Sequence, residues 1–314
     1  MTENTLRTVH EGEKTRKSAS CADAWAAVTV PPEPIHWRGS LPFLAMHAGL
    51  LAVIWVGVSP VALVIAFAFY LLRMFAITGF YHRYFSHRTF RASRAVQFLM
   101  ALAGTTAVQR GPLWWAAHHR YHHRHSDEEG DSHSPGQHGF WWSHVGWFLT
   151  QSGTPTREHL VRDWIRYPEL RFLDRHFLLG PALLAAGTLG LGFWLGTAFP
   201  ALRTSAAQVF VWGFVVSTVV LYHATYTINS LSHRFGSRRF ETGDDSRNNW
   251  LLALFTLGEG WHNNHHHYPG SARQGFYWWE IDITYYGLKA LAALGVISQL
   301  RPVPEKVLQR GRAS

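Results

Sequence analysis

The chain has 314 residues, 29 Lys and Arg against 20 Asp and Glu, a formal net charge of +9, 21 His and one Cys. The single cysteine, Cys21, excludes an internal disulfide and any iron–sulfur cluster built from this chain's own thiolates, so a bound metal must be held by nitrogen or oxygen. The basic balance suits an anionic membrane surface or a nucleic acid, and the apolar runs decide for the membrane.

Residues 1–40 open polar and charged ("MTENTLRTVHEGEKTRKSAS"), with no apolar core of a signal peptide, and read as a flexible tail. Spanning a bilayer takes about 20 mostly apolar residues in a helix. Four stretches meet that need: 41–58, 60–78, 178–199 and 206–228. Only Ser59 separates the first two, so they read as a tight hairpin, and the last two form a second pair. Arg73, near the inner end of the second stretch, is expected to snorkel to the interface. Residues 79–176 are rich in Arg and His, while the hairpin tips are short and nearly uncharged. That excess of positive charge puts both termini and the long middle segment on the cytoplasmic side. Within it, "AVQFLMALAGTTAV" (95–108) is too short to span and reads as an interfacial or re-entrant helix. "FYWWEIDITYYGLKALAALGVI" (276–297) mixes Trp, Tyr and charge, as a helix lying at the interface would. The expected organisation is a membrane-embedded unit over 41–300, closed by a basic C-terminal tail, 301–314.

Four histidine groups flank the cytoplasmic ends of the spans: "HRYFSH" (His82, His87), "HHRYHH" (His118, His119, His122, His123), "NSLSH" (Asn229, His233) and "HNNHHHYP" (His262, His265, His266, His267). Positions i, i+3 and i+4 share a helix face, so His119, His122 and His123 are expected to converge, as are His262, His265 and His266. Asn229 and His233 share a face in the same way. His82 and His87, five apart, diverge by about 140° on an ideal helix, so each is expected to serve a different ion. Nine histidines exceed what one centre accepts; two metal ions is the economical count. Neutral imidazole suits Zn, Cu, Fe and Ni, whereas Ca and Mg want oxygen. An all-histidine two-metal site just outside a lipid phase points to oxygen chemistry on a lipid. Hydrogen removal from an unactivated methylene is beyond any side-chain acid or base, so a redox metal must carry it, and iron is the choice. His10, His36, His47, His159, His176 and His223 stand alone and read as ordinary surface or hydrogen-bonding residues.

With these motifs in view, the sequence resembles the membrane fatty acyl desaturases of the delta-9 acyl-CoA desaturase family. An HxxxxH box within "ITGFYHRYFSHRTF", an HxxHH box, and a second HxxHH box followed by an aromatic residue and Pro occur in order. "GEGWHNNHHHYPGSARQGFYWWEID" looks like the bacterial branch, which implies a bacterial inner membrane. The resemblance covers about residues 40–300. It implies an all-α integral membrane fold, four transmembrane helices in two hairpins under a cytosolic helical cap that holds two iron ions (Fe2+). It implies as ligands His82, His87, His119, His122, His123, His233, His262, His265 and His266, with Asn229 reaching one iron through water. His118 and His267 fall beside the boxes and are left out. Asp127 and Glu259 are placed to orient imidazoles. Gln109, Trp115 and Thr225 match family positions that line the bend of the acyl tunnel. The animal enzymes carry Arg-Asp directly before the second box; Ala117 and His118 stand here, which leaves the acyl carrier open between CoA and something else.

The activity implied is O2-dependent insertion of a cis double bond, delta-9 in this family, into a saturated long-chain acyl thioester. Two electrons per turnover come from a separate carrier such as ferredoxin with its reductase, docked at Arg120, Arg124, Arg238 and Arg239. Two rivals remain: a di-iron hydroxylase using the same boxes, and a metal transporter or sensor. The latter predicts mid-membrane ligands, where only His47 and His223 lie. Nothing in the sequence points to nucleic acid.

Overall fold

The computed structural model describes residues 33–313, so Cys21, His10 and most of the expected tail lie outside the described residues. Four helices are long and apolar enough to cross a membrane: Trp37–Val56, Pro60–Ser86, Leu179–Ala198 and Ala206–Ser230. Their starts follow local chemistry. Ser59 accepts a hydrogen bond from the Ala62 N–H with Pro60 at the first helical position, and Ser205 does the same for Gln208. The first span stops at Gly57, whose φ of 64° is unstrained only without a Cβ.

The fourth span is the common neighbour, packing along the third and against the second and first. The first two spans, read from sequence as a hairpin, make their main contacts with it and not with each other. The Gln208 amide donates to the Val56 carbonyl (3.0 Å) and the Trp212 indole to that of Gly57 (2.8 Å), fixing the C-terminal end of the first span. Arg73 departs from expectation: it is 3% exposed and does not snorkel. Its guanidinium donates to Ser217 and Thr218 of the fourth span and to the carbonyls of Phe69 and Thr106. Satisfied on every side, it bridges the second and fourth spans.

The second span continues past the expected limit of 78, and its last eleven residues, Ala76–Ser86, are wound as a π-helix. The helix Arg94–Thr105, begun by the Ser93 cap, packs against this segment, as does the helix Pro112–His125. Residues 276–297 do not form the single interfacial helix expected of them. The helix is Ile283–Ala293, because the buried carboxylates Glu280 and Asp282 anchor the turn before it: Asp282 accepts from the Gln274 and Tyr285 N–H groups, Glu280 from Asn264 and Tyr277. Trp278, Trp279, Trp250 and Phe255 stand exposed outside the spans, a distribution that suits a membrane interface. Two-residue strands, Arg91–Ala92 and Ile297–Ser298, pair antiparallel, and the helix Glu305–Ala313 docks through the Tyr277 hydroxyl onto the Leu308 carbonyl.

The tightest approach in this packing is at Gly104, where an added Cβ would lie 1.9 Å from the ring of fully buried Tyr81. Gly104→Ala is therefore expected to destabilise the fold by about 1–3 kcal/mol through overpacking. The readout is a lower midpoint of thermal unfolding in detergent; an unchanged midpoint would mean that Tyr81 has somewhere else to go.

Candidate metal centre

All nine expected histidines gather at the cap end of the second and fourth spans, in two clusters. His82, His87, His119, His123 and His265 form one, His122, His233, His262 and His266 the other, and within each the offered ligand atoms lie within 4.8 Å of one another. The expectation that His82 and His87 serve different ions fails, because the winding is not α-helical. Their backbone is joined by an i→i+5 hydrogen bond, His87 N–H to the His82 carbonyl at 3.2 Å, so residues five apart stack on one face. Their rings lie 4.9 Å apart. Each HxxHH triad, expected to converge as a unit, splits instead. The i, i+4 pairs His119/His123 and His262/His266 go to opposite clusters, and each intermediate residue, His122 or His265, crosses to the other.

Buried carboxylates set the tautomers. Nδ1–H groups are donated by His233 to Asp127 (2.7 Å), by His266 to Asp244 (2.6 Å) and by His122 to Asp131 (3.0 Å), and His82 Nδ1 pairs with Glu259. A ring whose proton is held at Nδ1 presents a lone pair at Nε2. Those lone pairs point inward at other imidazoles. His233 Nε2 faces His262 Nε2 at 2.9 Å, and His265 Nε2 faces both His82 Nε2 (3.0 Å) and His123 Nε2 (2.9 Å). One N–H on His265 cannot point at both neighbours, and the buried Nε2 of His266 has no hydrogen-bond partner among the described residues. A cation within each cluster resolves these conflicts, so the donor set fits two metal ions. Burial and the neighbouring imidazoles push His119, His123, His262 and His265 well below the usual histidine range, and His266 down to about 4, which keeps the rings neutral. Burial alone would raise the Asp127, Asp131 and Asp244 carboxyls, but the paired imidazoles and further hydrogen bonds hold them below the usual carboxylate range.

Asp127 and Glu259 stand where sequence position suggested; Asp131, Asp244 and Gln274 were missed. Gln274 reaches both His82 Nδ1 and Glu259 (3.3 Å each). Nothing singles out Asp131 within "SDEEGDSH", and Asp244 meets His266 only through the fold. His133 was missed too: its ring lies 4.3 Å from that of His122, and His122, Asp131 and His133 form a further close group. The exclusions agree with the geometry. His118 turns away, its Nε2 on the Pro155 carbonyl (3.1 Å), and His267 stacks on Phe240. His47, His223 and His144 bond to one another in a row, apart from both clusters.

Gln109, Trp115 and Thr225 are also brought together. The Gln109 amide donates to the Thr225 hydroxyl (3.1 Å) and accepts from the Trp115 indole (3.4 Å), and Trp115 stacks on His119. Two cavities meet here, sharing Trp115, His119, Thr225 and Asn229 in their walls. One continues past Met74, Ile77 and Thr256 between the spans. The other runs by Trp114, His118 and Trp147 to Gly39, Pro42, Phe177 and Leu178, at the starts of the first and third spans. Both cavities are largely apolar, and the inner one is lined by members of both histidine clusters, His82 and His119 of one and His122 and His262 of the other.

The carboxylate partners are directly testable. The purified chain is expected to hold two metal equivalents, and Asp244→Ala to weaken the His266 cluster by about 10–100-fold. Mass-spectrometric metal counts after a chelator wash should then fall by one equivalent in the variant alone; equal retention would remove Asp244 from this role.

The sequence model of the fatty acid desaturase family matches residues 36–299. The chain is 35% identical over 283 residues to the sn-1 stearoyl-lipid 9-desaturase of Anabaena variabilis, covering 89% of this chain and 98% of that one. It is 32% identical to the sn-2 palmitoyl-lipid 9-desaturase of Nostoc sp. (strain 36), over 88% and 94% of the two chains. It is 40% identical to an acyl-CoA 5-desaturase of Anemone leveillei, over 76% and 70%.

Proposed function

The chain belongs to the fatty acid desaturase family, and on that premise we propose that it places a cis double bond at the delta-9 position of a saturated long-chain acyl group, using two irons, O2 and electrons from a separate carrier protein. The observation that carries this reading is a pair of largely apolar cavities that meet against two histidine clusters whose inward lone pairs call for cations, and we read the meeting point as the elbow of an acyl channel. Iron, when bound, supplies the oxygen activation that no side chain offers. The chain's own part is positioning. The Gln109–Thr225–Trp115 brace holds the elbow, so that one pair of methylenes lies beside the clusters, and misplacement by about 1 Å is costly. Asn229 lines both limbs, and its amide makes no hydrogen bond among the described residues, which would leave it free to reach one iron through a water when the metal is bound. In the balance, the acyl chain gives up two hydrogens with their electrons, the carrier gives two electrons, solvent gives two protons, and O2 leaves as two waters.

The channel mouth bears on the acyl carrier. Its lining at Gly39, Pro42, Phe43, Phe177 and Leu178 is apolar and set at span ends, and among the described residues Arg110 is the one arginine or lysine in the cavity wall. A nucleotide with several phosphates finds little there, whereas a chain attached to a membrane lipid enters from the bilayer. The lipid-linked chain is therefore the first reading and the CoA thioester the second. Positive-inside charge supports a cytoplasmic cap, in a bacterial inner membrane.

The test is lipid mass spectrometry of cells co-expressing the chain, a ferredoxin and its reductase, beside a His122→Ala control. A new cis double bond absent from the control is expected, and its position reads out the elbow. A hydroxylated chain in its place would move the protein to the hydroxylase reading.

A further inference from the structure

A second entrance reaches the same centre from another side. A depression of about 750 Å³ is walled by Tyr84, Trp164 and Tyr167, by the segment Gln299–Pro302, and by His87, a member of the five-histidine cluster. It shares no lining residue with either limb of the acyl channel. Four arginines, Arg88, Arg91, Arg94 and Arg301, line it. Glu169 takes both arms of Arg94 and neutralises it, while Asp163 is shared between Arg88 and Arg120 and so offsets Arg88 only in part. Arg91 and Arg301 are exposed, and their side chains have no hydrogen-bond or carboxylate partner among the described residues. The small sheet holds them at one rim: Arg91 pairs with Ser298, and the Arg301 N–H bonds to the Thr89 carbonyl.

Three of the four arginines expected from sequence are engaged elsewhere; the fourth, Arg124, is exposed with no hydrogen-bond or carboxylate partner among the described residues, but it does not line the depression. Arg120 is spent on Asp163 and on the carbonyls of Phe85, Ser86 and Leu160. Arg239 pairs with Glu280 and lies over Tyr277, and Arg238 pairs with Asp245.

We propose that this depression docks an acidic one-electron carrier protein, and that electrons enter the metal centre past His87. The need for the carrier rests on the desaturase reading; the surface itself does not. Two encounters serve one turnover, each oxidising the carrier by one electron and reducing the centre by one. Unpaired surface cations around a wet, wide opening attract an acidic partner and set its orientation. Because His87 sits in the wall, with its Nε2 2.8 Å from that of His119, a carrier seated there touches the ligand shell directly. The acyl channel is narrow and apolar and approaches from elsewhere, so both partners can be bound together.

The experiment titrates a plant-type [2Fe–2S] ferredoxin onto the full chain in detergent at low and high salt. Wild type is compared with the Arg91→Glu, Arg301→Glu double variant and with Arg312→Glu, an exposed cation on the C-terminal helix. Binding is expected to weaken about tenfold or more in the double variant and in high salt, and to stay near wild type in Arg312→Glu. The KM for ferredoxin should rise in parallel, with little change in turnover once ferredoxin saturates. A double variant that binds like wild type overturns the proposal, and so does equal weakening by Arg312→Glu. Displacement of ferredoxin by coenzyme A, with coenzyme A binding itself lost in the double variant, would make the depression a nucleotide site and also overturn it. Absence of any desaturated product with any donor would sink the desaturase reading and leave the binding result standing.

Discussion

The position of one proton on each imidazole governs the rest of this molecule. Four buried carboxylates, Asp127, Asp131, Asp244 and Glu259, take the Nδ1 side of four rings and so aim four Nε2 lone pairs at the interior. A buried carboxylate is costly without a partner. Glu259 also meets Arg83, but Arg83 has its own counter-charge in Asp282, so four negative charges remain for the centre. That is the charge needed to balance two divalent cations held by neutral histidines. The carboxylates thus orient the imidazoles and supply a charge that would match two divalent cations between them.

Backbone winding then decides which lone pairs meet. On an α-helix His82 and His87 would diverge; the π-wound end of the second span stacks them. On the helices that carry the HxxHH motifs, the i, i+4 pairs stay together while the i+3 residue faces the other cluster. Eight of the nine histidines are sorted by three short helical segments whose spacing is visible in the sequence and whose winding is not, and His233 joins the group of four from the turn after the fourth span.

That difference marks what the sequence made legible. The spans and the histidine boxes rest on patterns within single segments, whereas His233 and the Gln109, Trp115 and Thr225 set came only from the family resemblance; the structure brings each of these groups together. The allotment of ligands was misjudged because the ideal 3.6-residue turn does not hold over Ala76–Ser86. Asp131 and Asp244 were invisible because a carboxylate in a polar loop looks alike whether solvated or buried, and Asp244 finds His266 across 22 positions. Arg73 misled for a related reason. Near a span's end a lone cation suggests snorkelling, and only the fourth span's Ser217 and Thr218, arriving from far along the chain, make burial the better solution.

The same long-range packing explains why the centre sits at the rim of the membrane unit. The second span runs unbroken from lipid-facing residues such as Val64 and Phe67 into His82, so the ligand set is rigidly continuous with the helix that borders the channel. An acyl chain is soluble only in the bilayer, whereas electrons and protons come from water. A centre built where a span becomes cap meets both phases without a moving part. The apolar limb leaves by the starts of the first and third spans, and the arginine-lined depression leaves by the strand pair. Between them stand His82, His87 and His119, packed ring against ring at 4.3–4.9 Å, which separates the wet side from the oily one. Keeping water out of the channel while admitting charge through a ligand is one requirement, and the imidazole wall meets it from both sides.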